Sequence, residues 1–135
     1  MSNSYDNPRV QIYSLGSYNL GGTGSDAFAI PVPDGMSRCR IDDINAMCTE
    51  TFTDGAAKVE IGTAGDANHY AELNIGTLAD TNGLSMDRET EAFDNGQGGK
   101  GVVDIATEGI TQLEVVLTEA DTDGIAFINI VISWW

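Results

Sequence analysis

Apolar residues alternate with polar residues in short runs along most of this chain, and helical spacing is rare. Residues 57–61 show the alternation most cleanly, since Ala57, Val59 and Ile61 share one face while Lys58 and Glu60 share the other. Turn residues rich in glycine separate these runs, which is typical of an all-β protein. The sequence therefore predicts a single-domain β-sandwich of jelly-roll type, with about eight strands and little or no helix.

Two local signals refine the predicted strands. Pro31 and Pro33 place the second strand at an edge or an end of a sheet, because proline cannot donate a ladder hydrogen bond. The apolar phase of the third strand slips at Asp42 and Asp43, which predicts a bulge there. Residues 84–93 fit either a strand or a long arm. The predicted strands lie near residues 9–15, 28–32, 37–49, 57–61, 71–75, 103–105, 113–117 and 125–135.

The last strand, within Gly124–Trp135, is apolar on both faces. A strand with one wet face alternates apolar and polar residues, so here both faces should be covered. We expect the even-numbered set to line the core: Ala126, Ile128, Ile130, Ile132 and Trp134. We expect the apolar odd-numbered set to form a subunit contact: Ile125, Phe127, Val131 and Trp135.

The 135 residues suit one domain, with residues 9–135 as the sandwich and residues 1–8 as a flexible arm. This mostly polar segment is either an arm that orders on docking, with Tyr5 as its anchor, or a frayed terminus. No apolar run has the length of a signal segment or a membrane span, so synthesis in a reducing cytosol is expected.

The chain is strongly acidic, with a formal net charge of −15 from 21 acidic and 6 basic residues. Such a surface repels nucleic acid and anionic membranes, so neither is an expected partner. Arg38 and Arg40 share a strand phase, which would let them pair with acids on a neighbour and contribute to an interface.

Candidate chemistry is sparse. Glu119, Asp121 and Asp123, followed by Gly124, match the first half of a calcium loop, but Ile130 stands where the bidentate acid should be. A plain turn between two strands explains the same residues. The single histidine, His69, lacks a set of metal ligands, and Cys39 and Cys48 fall on apolar phases typical of reduced core cysteines. We therefore expect no catalytic residues, no cofactor and no enzymatic activity.

Four segments of the chain carry a resemblance to a known group of proteins: VQIYSLGSY, DAFAIPVP, KVEIGTAGDANHYAELNIGT and FINIVISWW. In this order they resemble small virion proteins of tailed bacteriophages, in particular head decoration (capsid cement) proteins. The resemblance implies a jelly-roll or sandwich domain, made in the host cytoplasm, that binds the outer surface of the capsid and stabilises it. It also implies two partners, the major capsid protein and further copies of the chain itself, often as a trimer.

Other functions remain open at this stage. A tail, neck or baseplate protein of the same virion would have the same sequence features. A carbohydrate-binding β-sandwich used in adsorption would stack sugars on exposed aromatic residues such as Trp134 and Trp135. Adjacent residues of a strand point to opposite faces, so these two cannot form one flat platform without a bend.

Overall fold

Two antiparallel sheets of five strands each form the described part of the chain and enclose one core between them. The computed structural model describes residues 9–22, 24–53, 55, 57–76, 78, 82–86, 98–99, 101–119 and 123–135. Its strands are β1 (Arg9–Asn19), β2 (Ser25–Pro31), β3 (Arg38–Glu50), β4 (Lys58–Thr63), β5 (Asp66–Asn74), β6 (Gly83–Ser85), β7 (Gly98–Gly99), β8 (Val103–Asp104), β9 (Gln112–Thr118) and β10 (Ile125–Trp134). This architecture confirms the predicted all-β sandwich.

The strand pairs are nested along the chain. β1 pairs with β10, β2 with β9, β3 with β6 and β4 with β5, so that each pair encloses the next. The first sheet has the order β1-β10-β3-β6, with β8 also paired to β3, and the second has the order β2-β9-β4-β5-β7. Nested pairs distributed over two sheets are compatible with the predicted jelly-roll type.

The even-numbered residues of β10 fill the centre of the core, as predicted. Ala126, Ile128, Ile130, Ile132 and Trp134 are all fully buried. Their direct neighbours on β3 point the same way, because residues directly opposite in an antiparallel pair share a face. The buried partners on β3 are Cys39, Ile41, Ile44, Ala46 and Cys48.

The bulge predicted in the third strand is present. The register between β10 and β3 shifts where Ile132 faces Ile41 and Val131 faces Asp43, which leaves Asp42 as the extra residue. The hydroxyl of Ser133 donates a hydrogen bond to the carboxylate of Asp42. Because of this one inserted residue, the apolar side chains before the bulge and those after it all point into the core.

Several predicted boundaries differ from the structure, and three of the differences have a local explanation. β1 continues to Asn19 rather than ending near residue 15. The register with β10 shifts between Ser14 and Gly16, and this shift interrupts the alternation of apolar and polar residues. Residues 62–68, predicted as a loop, contain the end of β4, a tight turn and the start of β5. The strand predicted near residues 103–105 stops at Asp104.

A one-turn helix, α1 (Ile105–Glu108), follows β8 directly. The carboxylate of Asp104 caps it by accepting a hydrogen bond from the backbone N–H of Thr107 at 3.0 Å. Gly109 ends the helix in the left-handed region, with φ 67°. Across the described ranges, no helix is both long enough and apolar enough to cross a lipid bilayer.

Candidate interaction surface

The solvent side of the first sheet carries apolar side chains on three adjacent strands. Ile12 on β1 is 67% exposed, Phe127 on β10 is 47% exposed and Met47 on β3 is 54% exposed. Ile12 lies directly opposite the half-buried Val131, and Phe127 lies directly opposite Met47. We call this surface the apolar face, and it comprises Val10, Ile12, Met47, Phe127 and Val131.

A row of polar residues crosses the middle of the apolar face. The side-chain amide of Asn129 donates to Asn45 at 3.2 Å, and the amide of Asn45 donates to Asp43 at 3.0 Å. Ser14 lies opposite Asn129 on the other side. Because Asn129 and Asn45 already bond to one another, covering this row with a partner protein leaves fewer polar groups without hydrogen bonds.

A cavity of about 270 Å³ opens beside the apolar face, between β3 and the short strand β6. Its lining includes Met47 on one side and Leu84 on the other, and Leu84 is itself partly exposed. The cavity therefore adds a concave, partly apolar margin next to the Phe127–Met47 pair, into which a partner side chain can insert.

Two of the three strands that carry the apolar face are nearly free of charge, whereas β3 carries three acids and two arginines. β1 and β10 together contain one charged residue, Arg9, and no acid. On β3, Arg40 forms an ion pair with Asp42, with 2.6 Å between Nε and Oδ1. In a chain with a net charge of −15, the apolar face is thus a surface that a neighbouring acidic protein can approach with little repulsion.

The residues predicted to form an interface fall into two groups. Ile125, Phe127 and Val131 point away from the core beside β1 and β3, as their odd-numbered positions require. Trp135 is half-buried, and its backbone exchanges hydrogen bonds with Arg38 at 2.9 and 3.0 Å. Their role in association stays a prediction, and Tyr5 lies outside the described residues.

The predicted pairing of the two arginines with a neighbouring strand holds for one of them. Arg38 faces Asp104 of β8, with 3.8 Å between Nε and Oδ2. Arg40 pairs instead with Asp42, two residues further along its own strand and therefore on the same side. Both arginine side chains are largely exposed and lie at one end of the first sheet, near Trp135.

Three residues of the apolar face were missed by the sequence prediction: Val10, Ile12 and Met47. Val10 and Ile12 do alternate with Gln11, which is a strand signal. Alternation does not say which phase faces outward, because both phases of β1 include apolar residues. Only the register with β10 places Ile12 next to Val131.

Two of the three predicted calcium ligands, Glu119 and Asp123, lie within the described residues. Glu119 lies beside Asp26, and burial together with the negative charge of Asp26 raises the pKa of the Glu119 carboxyl. The hydroxyl of Tyr18 donates to Asp26, and burial with that hydrogen bond raises the pKa of Tyr18 to about 12. Asp123 is exposed, and Asp121 lies outside the described residues. Elsewhere in the described chain, no three His, Cys, Asp or Glu side chains converge on a metal position.

The single histidine is held between two carboxylates. His69 Nδ1 lies 3.2 Å from Asp66, and Nε2 lies 2.9 Å from Glu108 on α1. Tyr70 also donates a hydrogen bond to Glu108, at 2.7 Å. With both ring nitrogens engaged, the imidazole ties α1 to β5 and has no nitrogen left for a substrate. Glu108 is 39 residues away in sequence, so no local pattern could reveal this contact.

The two cysteines are buried and in the reduced thiol form, as predicted. Cys39 lies opposite Trp134, and Cys48 lies opposite Ala126. Burial raises the pKa of the Cys39 thiol to about 12. The thiol is therefore protonated at neutral pH and is a weak nucleophile.

The polar side predicted for residues 57–61 is present, but its glutamate is buried rather than exposed to solvent. Glu60 is 8% exposed and faces Glu72, which is 6% exposed. Lys58 lies close to both, with Nζ–oxygen distances of 3.6 Å to Glu60 and 3.4 Å to Glu72. Alternation correctly separates these side chains from the core, but it does not predict that this side of the second sheet is shielded from solvent.

Comparison with solved structures finds a similar fold in a viral capsid. No family model matches the chain, and no curated protein matches it. A chain of the cyanophage Pam1 capsid asymmetric unit is similar, with a TM-score of 0.51 and 16% identity, over 94% of this chain and 84% of that chain. A chain of the infectious bursal disease virus Gx strain gives a TM-score of 0.39 and 14% identity, over 95% of this chain and 32% of that chain. The first comparison shows that this chain has the fold of a viral capsid chain.

Proposed function

We propose that this protein is a non-enzymatic structural component of a virion. More specifically, we propose a decoration or cement protein that binds the outer surface of a bacteriophage head and stabilises it. The observation that carries the proposal is the apolar face, an exposed hydrophobic surface on a domain that is otherwise strongly acidic. Exposed apolar patches of this kind mark sites of association with other proteins.

The apolar face is suited to binding a shell protein. Ile12, Met47 and Phe127 keep about half or more of their side-chain surface in water. Covering such side chains contributes roughly 1–2 kcal/mol each, from which the cost of association is subtracted. The major capsid protein is the proposed partner, since a shell offers many equivalent copies of one surface to a small domain.

The charge distribution supports an outward position for the rest of the molecule. The strands of the second sheet carry five acids and one base, whereas the strands of the first sheet carry four acids and three bases, and none of these acids lies on β1 or β10. With the apolar face against the shell, the acidic surfaces would face solvent. Like-charged outer surfaces would then keep neighbouring particles from aggregating.

The described residues most suited to nucleophilic or acid–base chemistry are already engaged. The thiol of Cys39 is buried and protonated, and both ring nitrogens of His69 contact carboxylates. These contacts support a structural role over a hydrolytic one. All of these contacts are made by side chains of the protein itself.

The carbohydrate-binding alternative is weakened by the position of the tryptophans. Sugar recognition of the kind considered requires exposed aromatic faces. Trp134 is fully buried in the core, and Trp135 is half-buried at the end of the first sheet. Neither side chain offers a flat, exposed platform.

Binding to purified shells tests the proposal. The protein should cosediment with phage heads that lack it and should raise their resistance to heat and chelators. Phe127→Asp places a charge in the apolar face and should abolish cosedimentation. Ala29→Asp adds the same charge at an exposed position of β2 and should leave it intact.

The outcomes separate the competing functions. Binding to purified tails or baseplates but not to heads would favour the tail, neck or baseplate alternative. If Phe127→Asp binds heads as well as the unmodified protein, the apolar face is not the docking surface. Failure of the folded protein to bind any virion part would contradict a structural role in the virion.

A further inference from the structure

We propose that the free edge of β1 is a strand-acceptor site for β1 of a second copy of this chain. The two β1 strands would pair antiparallel across a two-fold axis. This pairing would join the first sheets of two molecules into one continuous sheet. The proposal concerns the protein free in solution and does not require that it bind a capsid.

In the described part of the chain, three of the four sheet edges are protected against such pairing. The first sheet ends at β1 and β6, and the second ends at β2 and β7. β6 has three residues and β7 has two, which is too short to template a partner strand. β2 ends in Pro31 and carries the charged Asp26. Short strands, proline and charge are the usual means by which proteins block edge pairing.

The β1 edge is the least protected of the four. β1 is 11 residues long, contains no proline, and has its one charged residue, Arg9, at its first position. Among the described residues it pairs with β10 alone, so its other side presents unpaired backbone N–H and C=O groups. Its first half, Arg9–Ser14, is paired with β10 in unbroken register before the shift at Gly16. A regular, exposed stretch of this kind is a ready template for another strand.

The acid-free composition of β1 suits a second copy as the occupant. Two molecules that each carry a net charge of −15 repel one another over most of their surfaces. A contact between two β1 strands brings no acid from either strand, and the adjacent β10 strands carry none. Pairing requires a partner edge that is extended, apolar and unprotected. The β1 edge of a second copy is such an edge.

Side chains support the same arrangement. Val10 and Ile12 lie on the exposed side of β1, which is also the side of the apolar face. Antiparallel pairing places these residues of both copies next to one another on one surface, where cross-strand apolar pairs are stabilising. A contact in which the same edge serves both partners is isologous and closes as a dimer. The trimer implied by the resemblance requires a different contact.

Sedimentation and amide hydrogen exchange together test the proposal. The purified protein should form a concentration-dependent dimer. The outward-facing amides within Arg9–Ser14 should exchange rapidly when dilute and become protected at high concentration, because strand pairing sequesters backbone N–H groups. Ile12→Lys should weaken the dimer by at least about tenfold, roughly 1.4 kcal/mol. Ala29→Lys adds the same charge to the protected β2 edge and should leave the dimer unchanged.

Other outcomes overturn the proposal. A monomer at all concentrations, a trimer, or a dimer without protection of the β1 amides would each exclude β1 pairing. Protection of these amides only on binding to shells would show that a capsid strand, not a second copy, occupies the edge. Phe127→Asp distinguishes the two proposals, since it should abolish shell binding while the dimer persists.

Discussion

Trp134 shows how one side chain combines tight packing with an unmet polar group. It is the largest of the fully buried side chains, and within the described chain its indole Nε1 has no hydrogen-bond partner. A buried donor without an acceptor costs about 1–3 kcal/mol. The packing of the indole ring must therefore outweigh that cost.

A conservative substitution at Trp134 should lower the free energy of unfolding only slightly for so large a buried side chain. Trp134→Phe loses packing but removes the unmet N–H, so the free energy of unfolding should fall by less than about 2 kcal/mol. Ile130→Ala, which removes only apolar atoms from the same strand, should cost about 2–5 kcal/mol. Chemical denaturation of both variants checks this. A larger loss for Trp134→Phe than for Ile130→Ala would show that the indole N–H is hydrogen-bonded.

The buried Glu60 should make stability depend on pH. Burial raises the pKa of Glu60, Lys58 lowers it, and the facing Glu72 raises it again, with a net increase. The folded state therefore binds the Glu60 proton more tightly than the unfolded state does. The resulting contribution to stability is present below the ordinary glutamate pKa and is lost as the pH rises through the raised value.

Glu60→Gln removes the free-energy cost of burying an ionised carboxylate at neutral pH. The variant should melt at a higher temperature than the unmodified protein at neutral pH, and the difference should disappear at acidic pH. Glu50→Gln, at an exposed position of β3, serves as the control and should not change the pH dependence. Thermal melts across the acidic range provide the measurement. A lower melting temperature for Glu60→Gln at neutral pH would show that the ion pair with Lys58 outweighs burial.

At the scale of elements, the β4–β5 hairpin depends on one close backbone approach. A Cβ atom on Gly62 would lie 2.1 Å from the carbonyl oxygen of Asp66 and 2.5 Å from that of Ala67. Real Cβ atoms do not approach backbone so closely, and backbone cannot move aside as a flexible side chain can. The register shift beside Ile61 therefore requires glycine at this position.

Gly62→Ala should destabilise the protein by about 2–3 kcal/mol or more, because the hairpin must open to admit the methyl group. Gly65→Ala in the adjoining turn is the matched control, since a Cβ there meets no atom within 4 Å. Thermal or chemical denaturation compares the two variants. Equal stability of the two would show that the hairpin relaxes without cost.

Elements with a regular local pattern could be predicted, and elements set by distant contacts could not. The two faces of β10 and the bulge at Asp42 follow from residues adjacent in sequence. The extension of β1 past Gly16 and the packing of α1 through Glu108 depend on partners far along the chain. For the same reason, Phe127 could be predicted to face outward, whereas its contact with Met47 could not.

At the scale of the whole molecule, the distribution of charge should govern association. The net charge of −15 opposes contact between copies, and the acid-free β1 edge reduces that repulsion without removing it. Added salt screens charge, so the dimer should become tighter as ionic strength rises. Sedimentation at low and high salt checks this. Weaker association at high salt would show that ion pairs, such as those open to Arg38 and Arg40, form the contact instead.

Cryo-electron microscopy of decorated heads is the decisive test of the proposal that the apolar face binds a phage head from outside. Heads lacking the protein would be incubated with it and reconstructed. We expect a sandwich on the outer surface, with Phe127 and Met47 against the shell and the acidic second sheet toward solvent. A sandwich bound through its second sheet, or located on the tail, would exclude this mode of binding.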